Sequence, residues 1–361
     1  MQIREIQVGE LLDFIKSDEF ERLDIKPITD LRAISQFNNP DANPQDIALI
    51  YAAENNELLG FAGLLPKFVN NENTRIFANS CWWAHPEKGK GIAIPLFYKL
   101  VERANFSLFL SESTTHAKTI LEKTGLFGPI NQKIGIRGFL RFYLADISLK
   151  HYPHNKWLPL PFKFLDSLLN LLLLPFRFCF LKKFDKSNFT FELVSKVDRE
   201  IEEFIKQNSL SEFVRKTPLS YDWFKNYPWV TEKASGKALN YPFSYVVNNY
   251  ELNYFVFKRD NEIKAFAAVS YRDNLAKIPF IYFNNNDIKA VTHTLMRLIL
   301  KKRYDSLLVF HPQIVDFMGQ NKMPFFYRKN EIKYSGTTKK IYDIFAQKPI
   351  MQDGDGDVIF T

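Results

Sequence analysis

Residues 78–104 read ANSCWWAHPEKGKGIAIPLFYKLVERA, and this stretch decides the interpretation of the fold. Its first part, Asn79–Ala84, is a short run typical of a buried strand. A turn follows over Glu87–Gly91, where two glycines permit a tight bend. Ile92–Ala104 then carries apolar residues at helical spacing, which predicts a helix leaving the turn. The order of strand, glycine turn and helix predicts an α/β arrangement in the first half of the chain.

The glycine turn has the composition of a binding site for phosphate. Gly89 and Gly91 let the backbone approach a ligand without a side chain in the way. The amides that follow lie at a helix N-terminus, where unpaired N–H groups and the helix dipole favour an anion. Lys88 and Lys90 add positive charge. We therefore predict a pyrophosphate cradle, while a turn that only shapes the chain stays open as the alternative.

The spacing of the cradle differs from two common phosphate motifs and matches a third. The Walker loop needs Gly-x-x-x-x-Gly-Lys-Ser/Thr and the dinucleotide fingerprint needs three glycines. Lys88–Ala93 instead resembles the acyl-CoA loop of the GNAT (Gcn5-related) N-acetyltransferase superfamily, Arg/Gln-x-x-Gly-x-Gly/Ala, with Lys88 in the Arg/Gln place. Thr114–Phe127, TTHAKTILEKTGLF, resembles the second motif of that superfamily.

The resemblance implies an acyl-CoA as co-substrate and direct attack of an amine on its thioester. It implies that the pantetheine arm pairs with the backbone of the fourth strand, in a gap between the fourth and fifth strands. The residues that it implies for CoA binding are Trp82, Trp83, Ala84, Lys88, Gly89, Lys90, Gly91, Ile92, Ala93 and Thr114.

The sequence departs from the superfamily where many members carry a catalytic acid. The tyrosine that many relatives have on the second-motif helix is Leu121 here, and the frequent asparagine at the start of that helix is Thr114. A dedicated acid is not required, because a thiolate leaves readily near neutral pH. His85 and Glu112 are the candidates for a catalytic base, with a purely structural role as the alternative for each.

The second half of the chain repeats the order of elements of the first half. Asn284-Asn285-Asn286 stands where the glycine loop would be needed, so the second copy is interpreted as degenerate. We predict an α/β (α+β) fold of two tandem GNAT-like domains, each a mixed, mostly antiparallel sheet flanked by helices. The predicted division is residues 1–150 with the acyl-CoA loop, an apolar connector over residues 151–188, and an acceptor-binding domain over residues 189–361.

The connector contains the apolar stretch Trp157–Phe184, which Lys163, Asp166, Pro175 and Arg177 interrupt. A membrane span needs about 20 nearly uninterrupted apolar residues, so a span is not predicted. We expect a helix buried between domains or between subunits, which is compatible with a homodimer. Contact with a membrane surface is the alternative.

Composition and charge limit which other classes of protein the sequence could belong to. The chain has 361 residues, is 46% apolar and contains 35 Phe, which is enough for packed cores and excludes a disordered chain. The net charge of +8 divides into −1 over residues 1–150 and +9 over residues 151–361. A basic half favours phosphate-bearing ligands or is simply a solvated lysine surface, and no basic run indicates nucleic acid.

Cysteine, histidine and N-terminal patterns bear on metal content and location. Two cysteines make no disulfide framework, and the N-terminus lacks the cationic and apolar regions of a signal peptide. We therefore expect a cytoplasmic protein. The six histidines show no metal-ligand spacing, and His151 with His154 is too little for zinc, so we expect no metal.

The domain layout and the C-terminal tail, DGDGDVIFT over residues 353–361, narrow the resemblance. They resemble bacterial N-acyltransferases of nucleotide-linked amino sugars for surface polysaccharide such as O-antigen lipopolysaccharide. The type implied acts on a dTDP-3-amino-3,6-dideoxyhexose with acetyl-CoA or 3-hydroxybutanoyl-CoA. Tyr221, Trp223 and Arg215 are the candidates for holding the base and phosphates, with packing in the core as the alternative. The other functions considered are a Fem-type aminoacyl transferase and a non-catalytic CoA-binding assembly protein.

Overall fold

The computed structural model describes residues 1–152, 157, 159–233 and 239–361, with the backbone only at residue 150; His154 of the histidine pair lies outside the described residues. The described chain forms two compact units. Unit 1 comprises Met1–Lys133, Lys196–Tyr250 and Lys333–Thr361, and unit 2 comprises Ile134–Ser195 and Glu251–Ile332.

The elements of the first half follow in chain order, strands as β and helices as α. They are β1 Gln2–Gln7, α1 Leu11–Phe14, α2 Asp18–Arg22, α3 Asp30–Phe37, β2 Ile47–Glu54, β3 Glu57–Phe68, β4 Arg75–Ala84, α4 Ala93–Arg103, β5 Leu108–Ser113, α5 Thr115–Thr124, β6 Asn131–Phe139, α6 Leu144–His151, α7 Pro159–Leu172 and α8 Leu174–Asp185.

The second half continues the same numbering. Its elements are β7 Thr190–Val194, α9 Arg199–Asn208, α10 Pro218–Asn226, β8 Thr231–Glu232, β9 Val246–Val247, β10 Tyr250–Arg259, β11 Glu262–Arg272, β12 Leu275–Phe283, α11 Ile288–Lys301, β13 Ser306–Val309, α12 Pro312–Gln320, β14 Tyr327–Thr337 and α13 Tyr342–Gln347. The tail adds two 3₁₀ turns, Asp353–Asp355 and Val358–Phe360.

The sheet of unit 1 has the strand order β1-β2-β3-β4-β5-β14. All neighbours are antiparallel except β4 and β5, which are parallel. The apolar runs IALIYAA (47–53) and LLGFAGLLPK (58–67) are typical of a hairpin, and they form β2 and β3, joined at Asn55 and Asn56 with φ angles of 51° and 65°. Such positive angles suit the tight hairpin turn that asparagine favours. On one face α4 buries Leu96 and Leu100 in a core with Ile50 and Leu64.

The sheet of unit 2 has the order β6-β13-β12-β11-β10-β7. β12 and β13 are parallel, and the pairs β6–β13, β11–β12 and β7–β10 are antiparallel. The long helix α11 crosses this sheet and is buried from Val291 to Leu300. Both units are therefore mixed α/β, with mostly antiparallel strands flanked by helices, and the predicted fold class is confirmed.

The two units divide the chain differently from the predicted boundaries at residues 150 and 189. β6 enters unit 2 at Ile134 and pairs there with β13, whereas β14 re-enters unit 1 at Lys333 and pairs there with β5. Strand pairing determines which residues pack together, and here it joins segments that are distant along the chain. Each half of the sequence consequently contributes to both units.

The apolar connector forms α7 and α8 as part of unit 2. Within this single chain the helices are not buried, since Phe164 is 75% exposed and Leu172 is 68% exposed, and burial between subunits stays a prediction. Among the described residues, no single helix is long and apolar enough to cross a membrane. α7 and α8 satisfy the length and composition together, with a bend of 46° between them.

Candidate functional site

The fourth and fifth strands separate soon after they meet. β4 and β5 pair only at Phe77 with Leu108 and at Ala78 with Phe109. Beyond Ala78, β4 stays paired with β3 on its other edge as far as Ala84, while β5 pairs with β14. The edge of β4 that faces β5 therefore has no strand partner over residues 79–84, within the part of the chain that the structure describes. We call this opening the splay.

Irregular pairing on both sides of the splay accounts for the separation. The register of β3 and β4 shifts between Gly63 and Leu64, which leaves Ser80 as an extra residue in β4. The Arg32 guanidinium donates to the Ser80 carbonyl at 2.8 Å, and this contact fixes the bulge. The register of β5 and β14 also shifts, next to Ser111. Bulges bend a strand and increase its twist, and both strands bend at the splay.

The glycine turn closes one end of the splay. A Cβ atom at Gly89 would lie 2.4 Å from the Leu59 carbonyl oxygen, so no side chain fits there. Gly91 has φ of +84° and nothing within 4 Å of the position that a Cβ would take. The first glycine is thus required for packing, whereas the second presents a left-handed, open backbone to solvent.

The start of α4 completes an anion cradle beside Gly91. The helix begins at Ala93 after Ile92, and no described side chain caps its N-terminus. The indole Nε1 of Trp82 donates to the Ala93 carbonyl at 2.9 Å and ties the helix start to β4. Free amides at the start of an 11-residue helix attract anions through their N–H groups and the helix dipole. The residues present therefore fit a pyrophosphate, and the predicted cradle residues lie together.

Lys88 is held by a carboxylate in this structure. Its Nζ lies 2.5 Å from Glu57 Oε1, and that hydrogen bond raises the pKa of Lys88. Lys90 is exposed beside it. In this structure the charge of Lys88 is therefore paired with Glu57, and Lys90 is an exposed cation of the turn.

His85 supports the turn from within. Its Nδ1 accepts hydrogen bonds from the backbone amides of Glu87 at 3.2 Å and Lys88 at 3.1 Å. Because Nδ1 already accepts two amide protons, that nitrogen is not available to take a proton from a substrate. The arrangement favours the structural role that the sequence analysis left open for His85.

Glu112, the second candidate base, is in an ion pair. Its carboxylate contacts the Lys333 ammonium, and Lys333 also lies 2.9 Å from Asp353 Oδ1. Burial opposes the charge of Lys333, but the two carboxylates raise its pKa above the usual value. The Glu112 carboxylate is thus already engaged with a cation. Glu112 is therefore better described as holding Lys333 in place.

The C-terminal tail lies at the splay, and its charges are paired in three separate contacts. Asp353 pairs with Lys333, Asp355 with Lys216 at 2.6 Å, and Asp357 with Arg32 at 3.8 Å. The side chain of Asp355 is 0% exposed and that of Lys216 is 4% exposed. Buried charges persist only when they are paired, so these contacts fix the tail in position.

The tail also packs closely against β5 and into the core. A Cβ atom at Gly356 would lie 2.0 Å from Ser111 Oγ, so the backbone of the tail touches β5 at the bulge. Phe360 is fully buried and stacks on Trp229 with ring centroids 4.5 Å apart. The Ile359 carbonyl accepts from the Tyr250 hydroxyl at 2.9 Å. The tail therefore forms a wall of the splay.

The aromatic residues predicted to hold the acceptor lie in the core. Tyr221 is 1% and Trp223 is 3% exposed, and the Trp223 indole donates to the Ser35 carbonyl at 2.7 Å. The rings of Phe360 and Phe224 pack against Trp223. Packing in the core, the alternative in the sequence analysis, describes these two rings, because neighbouring side chains already cover them.

Arg215 is likewise engaged with its neighbours. Its guanidinium stacks on Phe68 at 4.2 Å from the ring centroid and lies 3.4 Å from Asp41 Oδ1.

The glycine turn, Trp82 and Thr114 all belong to unit 1, as the splay does. The Thr114 hydroxyl caps α5 by accepting from the Ala117 amide.

A buried lysine that the sequence analysis missed lies close to the tail. Lys67 is 2% exposed, and its ammonium lies over the rings of Trp223 and Phe224 at 4.6 and 4.9 Å. Burial lowers its pKa to about 8, against the attraction of Asp41 and Asp355. Its position inside a strand of apolar residues gave no indication that the lysine would be buried near the tail.

In the described ranges, no group of three His, Cys, Asp or Glu residues could hold a metal ion.

Comparisons with known proteins agree with the fold. No protein-family model matches the sequence, and no curated protein matches it. A GCN5-related N-acetyltransferase from Kribbella flavida has a TM-score of 0.50 at 8% identity, over 93% of this chain and 70% of that chain. A conserved Enterococcus faecalis protein described as a probable N-acyltransferase has a TM-score of 0.50 at 10% identity, over 93% and 71%. The chain therefore has the fold of the GCN5-related N-acetyltransferases.

Proposed function

We propose that this chain transfers an acyl group from acyl-CoA to the amine of an acceptor. The observation that carries the proposal is the open backbone of Gly91 beside the uncapped start of α4, at the end of a strand that separates from its neighbour. Such a cradle suits the pyrophosphate of CoA. The unpaired edge of β4 over residues 79–84 suits the amide groups of a pantetheine arm, which bind as an added strand does.

The transfer needs few dedicated catalytic groups. A neutral amine attacks the thioester carbon, the carbon–sulfur bond breaks, and CoA leaves as a thiolate that takes up a proton. Because the thiolate is a good leaving group near neutral pH, Leu121 can replace the tyrosine of many relatives. The chain's own contribution is to bind and orient the donor and to surround the splay with paired charges.

The acceptor proposed is a nucleotide-linked amino sugar of the dTDP-3-amino-3,6-dideoxyhexose type, with acetyl-CoA or 3-hydroxybutanoyl-CoA as donor. The support is the resemblance of the domain layout and of the tail, residues 353–361, to enzymes of surface polysaccharide synthesis. That tail lies against β5 at Ser111, close to where we propose that the thioester binds. Tyr221 and Trp223 are buried, so the nucleobase needs another surface than these two rings.

The experiment is an assay of thiol release from both donors against dTDP-linked and UDP-linked amino sugars. Turnover with a dTDP-amino sugar supports the whole proposal. Turnover with another amine only would retain the acyl transfer and contradict the sugar. CoA binding without thiol release on any amine would contradict catalysis and favour a CoA-binding assembly protein. Transfer from an aminoacyl-tRNA, with no transfer from acyl-CoA, would indicate the Fem-type reaction instead.

A further inference from the structure

Helix α7 directs two polar residues, Asp166 and Asn170, toward unit 2 and leaves most of its apolar residues exposed. The buried carboxylate of Asp166 accepts from the backbone amides of Leu144 and Ala145 at 2.8 and 3.0 Å. Asn170 accepts from the Phe142 amide at 3.0 Å and donates to the Phe142 carbonyl at 2.9 Å. These contacts attach the helix to unit 2 through its polar side, which is the reverse of an ordinary surface helix.

The helix pair also exposes large apolar side chains. In α7, Phe164, Leu168 and Leu171 recur at intervals of four and three residues, which places these three on one face. We call the following set the apolar face: Phe164 at 75%, Leu168 at 45%, Leu171 at 60%, Leu172 at 68%, Leu174 at 52% and Phe178 at 57% exposure. Contact with water is unfavourable for side chains of this size. An apolar patch of this kind marks an interaction surface.

Three of the exposed charged residues on the same two helices are lysines, and the fourth is Asp185. Lys163, Lys182 and Lys183 are exposed. The acidic residues of the pair are engaged, since Asp166 is buried and Asp185 lies 3.1 Å from the guanidinium of Arg297. An apolar face bordered by lysines complements an anionic bilayer. A symmetric contact with a second copy would bring the same cations together on both sides.

A cavity of about 1090 Å³ in unit 2 is lined in part by both helices and includes three residues of the apolar face, Leu171, Leu174 and Phe178. Its lining combines the guanidinium groups of Arg141, Arg177 and Arg303 with the apolar side chains of Leu171 and Phe178. Such a lining suits a phosphate group attached to an acyl chain, which is the chemistry of an anionic phospholipid. The cavity and the apolar face thus favour the same ligand.

The carboxylates that also line the cavity are occupied. Asp305 lies 3.1 Å from Arg141 Nε, and Asp146 accepts from the Asn274 amide at 2.8 Å. Asp166 holds the amides at the start of α6, as described above. The lining contains four basic side chains and three carboxylates, which gives it a net charge of +1.

We propose that α7 and α8 bind the headgroup region of an anionic lipid bilayer through the apolar face. The helices lie in the interface and do not cross the bilayer, because crossing would break the contacts of Asp166 and Asn170 with unit 2. This proposal is independent of the proposed acyl transfer.

The test is sedimentation of the full chain with vesicles of phosphatidylglycerol and phosphatidylcholine, compared with phosphatidylcholine alone. We expect binding to the anionic vesicles that falls at high salt. Leu171→Glu with Leu172→Glu should reduce the bound fraction at least tenfold. The matched control is Leu210→Glu with Leu219→Glu, at 66% and 65% exposure in unit 1, which should bind as the unmodified chain does.

Cys179 supplies a second readout, because it is exposed on α8. Burial raises the pKa of the Cys81 thiol, so an environment-sensitive maleimide dye should label Cys179 selectively. Its emission should shift to the blue with anionic vesicles. Absence of binding to those vesicles, or equal binding by the Leu171/Leu172 variant, would overturn the proposal. A lipid-free dimer that this variant dissociates, without vesicle binding, would assign the face to a second copy and also overturn it.

Discussion

Gly356 in the C-terminal tail and Ser111 in β5 are so close that a Cβ atom on the glycine would lie 2.0 Å from the serine Oγ. Ser111 follows the point where β5 leaves β4, so the last residues of the chain form one side of the splay. The ion pairs of Asp355 and Asp357 hold the tail on either side of this contact. The end of the chain is therefore part of the candidate site and not an appendage.

Gly356→Ala tests this contact. The added methyl group forces the tail away from β5, so we expect a loss of about 1–3 kcal/mol in the free energy of unfolding and a lower kcat. Denaturant unfolding and thiol release measure the two effects. Gly319→Ala is the control, since nothing lies within 4 Å of its Cβ position. If Ser111→Gly in the same chain restores neither stability nor rate, the contact is not the cause.

Asp355→Ala should be clearly destabilising. It removes one of the two carboxylates that hold the buried Lys216 ammonium, while Glu212 stays at 2.8 Å, and it removes the acceptor of the Gln352 amide, so we expect a loss of about 1–3 kcal/mol in the free energy of unfolding. Arg199→Ala removes an exposed pair with Glu203 and should change the free energy of unfolding by less than about 0.5 kcal/mol. Equal effects of the two substitutions in urea titrations would contradict the buried pair.

Lys67 predicts a pH dependence of stability. Its pKa is about 8 in the folded chain, below its ordinary value of 10.5, so between these values the unfolded chain binds more protons. The free energy of unfolding from this group therefore rises with pH in that window. Between pH 7.5 and 9.5 the unmodified chain should gain about 1–2 kcal/mol relative to Lys67→Met. A constant difference between the two proteins would show that Lys67 is not desolvated.

We predict that His85 stabilises the glycine turn and does not take a proton from the acceptor amine. His85→Ala should raise KM for acyl-CoA about tenfold, because two hydrogen bonds to the Glu87 and Lys88 amides are lost. The pH profile of kcat should stay unchanged. His85→Asn offers an oxygen in place of Nδ1 and should restore part of the affinity. A changed pH profile at constant KM would instead make His85 a catalytic base.

Local signals predicted much of the unit 1 fold. The asparagine turn between β2 and β3, the strand–glycine–helix order around Gly91 and the left-handed Gly125 after α5 each depend on residues close in sequence. The elements of unit 2 follow from the same kind of pattern. The division into units could not be predicted, because it depends on β6 and β14 pairing with strands far along the chain.

The paired charges of the tail were beyond local reasoning for the same reason. Asp355 finds Lys216 across 139 residues, and nothing near either residue indicates the other. The polar inner side of α7 was also missed, because a leucine-rich stretch predicts burial whichever way its few polar residues point. Only the bonds of Asp166 and Asn170 to unit 2 show that the leucines face outward.

The most direct test of the central claim is calorimetric titration of acetyl-CoA into the unmodified chain, Gly91→Glu and Gly125→Glu. Both glycines have positive φ, 84° and 68°, and open space at the Cβ position, so the two substitutions strain the backbone alike. Only Gly91 lies at the cradle. We predict that Gly91→Glu loses at least 100-fold in affinity for acetyl-CoA. Gly125→Glu, folded to the same extent as Gly91→Glu, should bind acetyl-CoA as the unmodified chain does. Equal binding by Gly91→Glu would contradict the site.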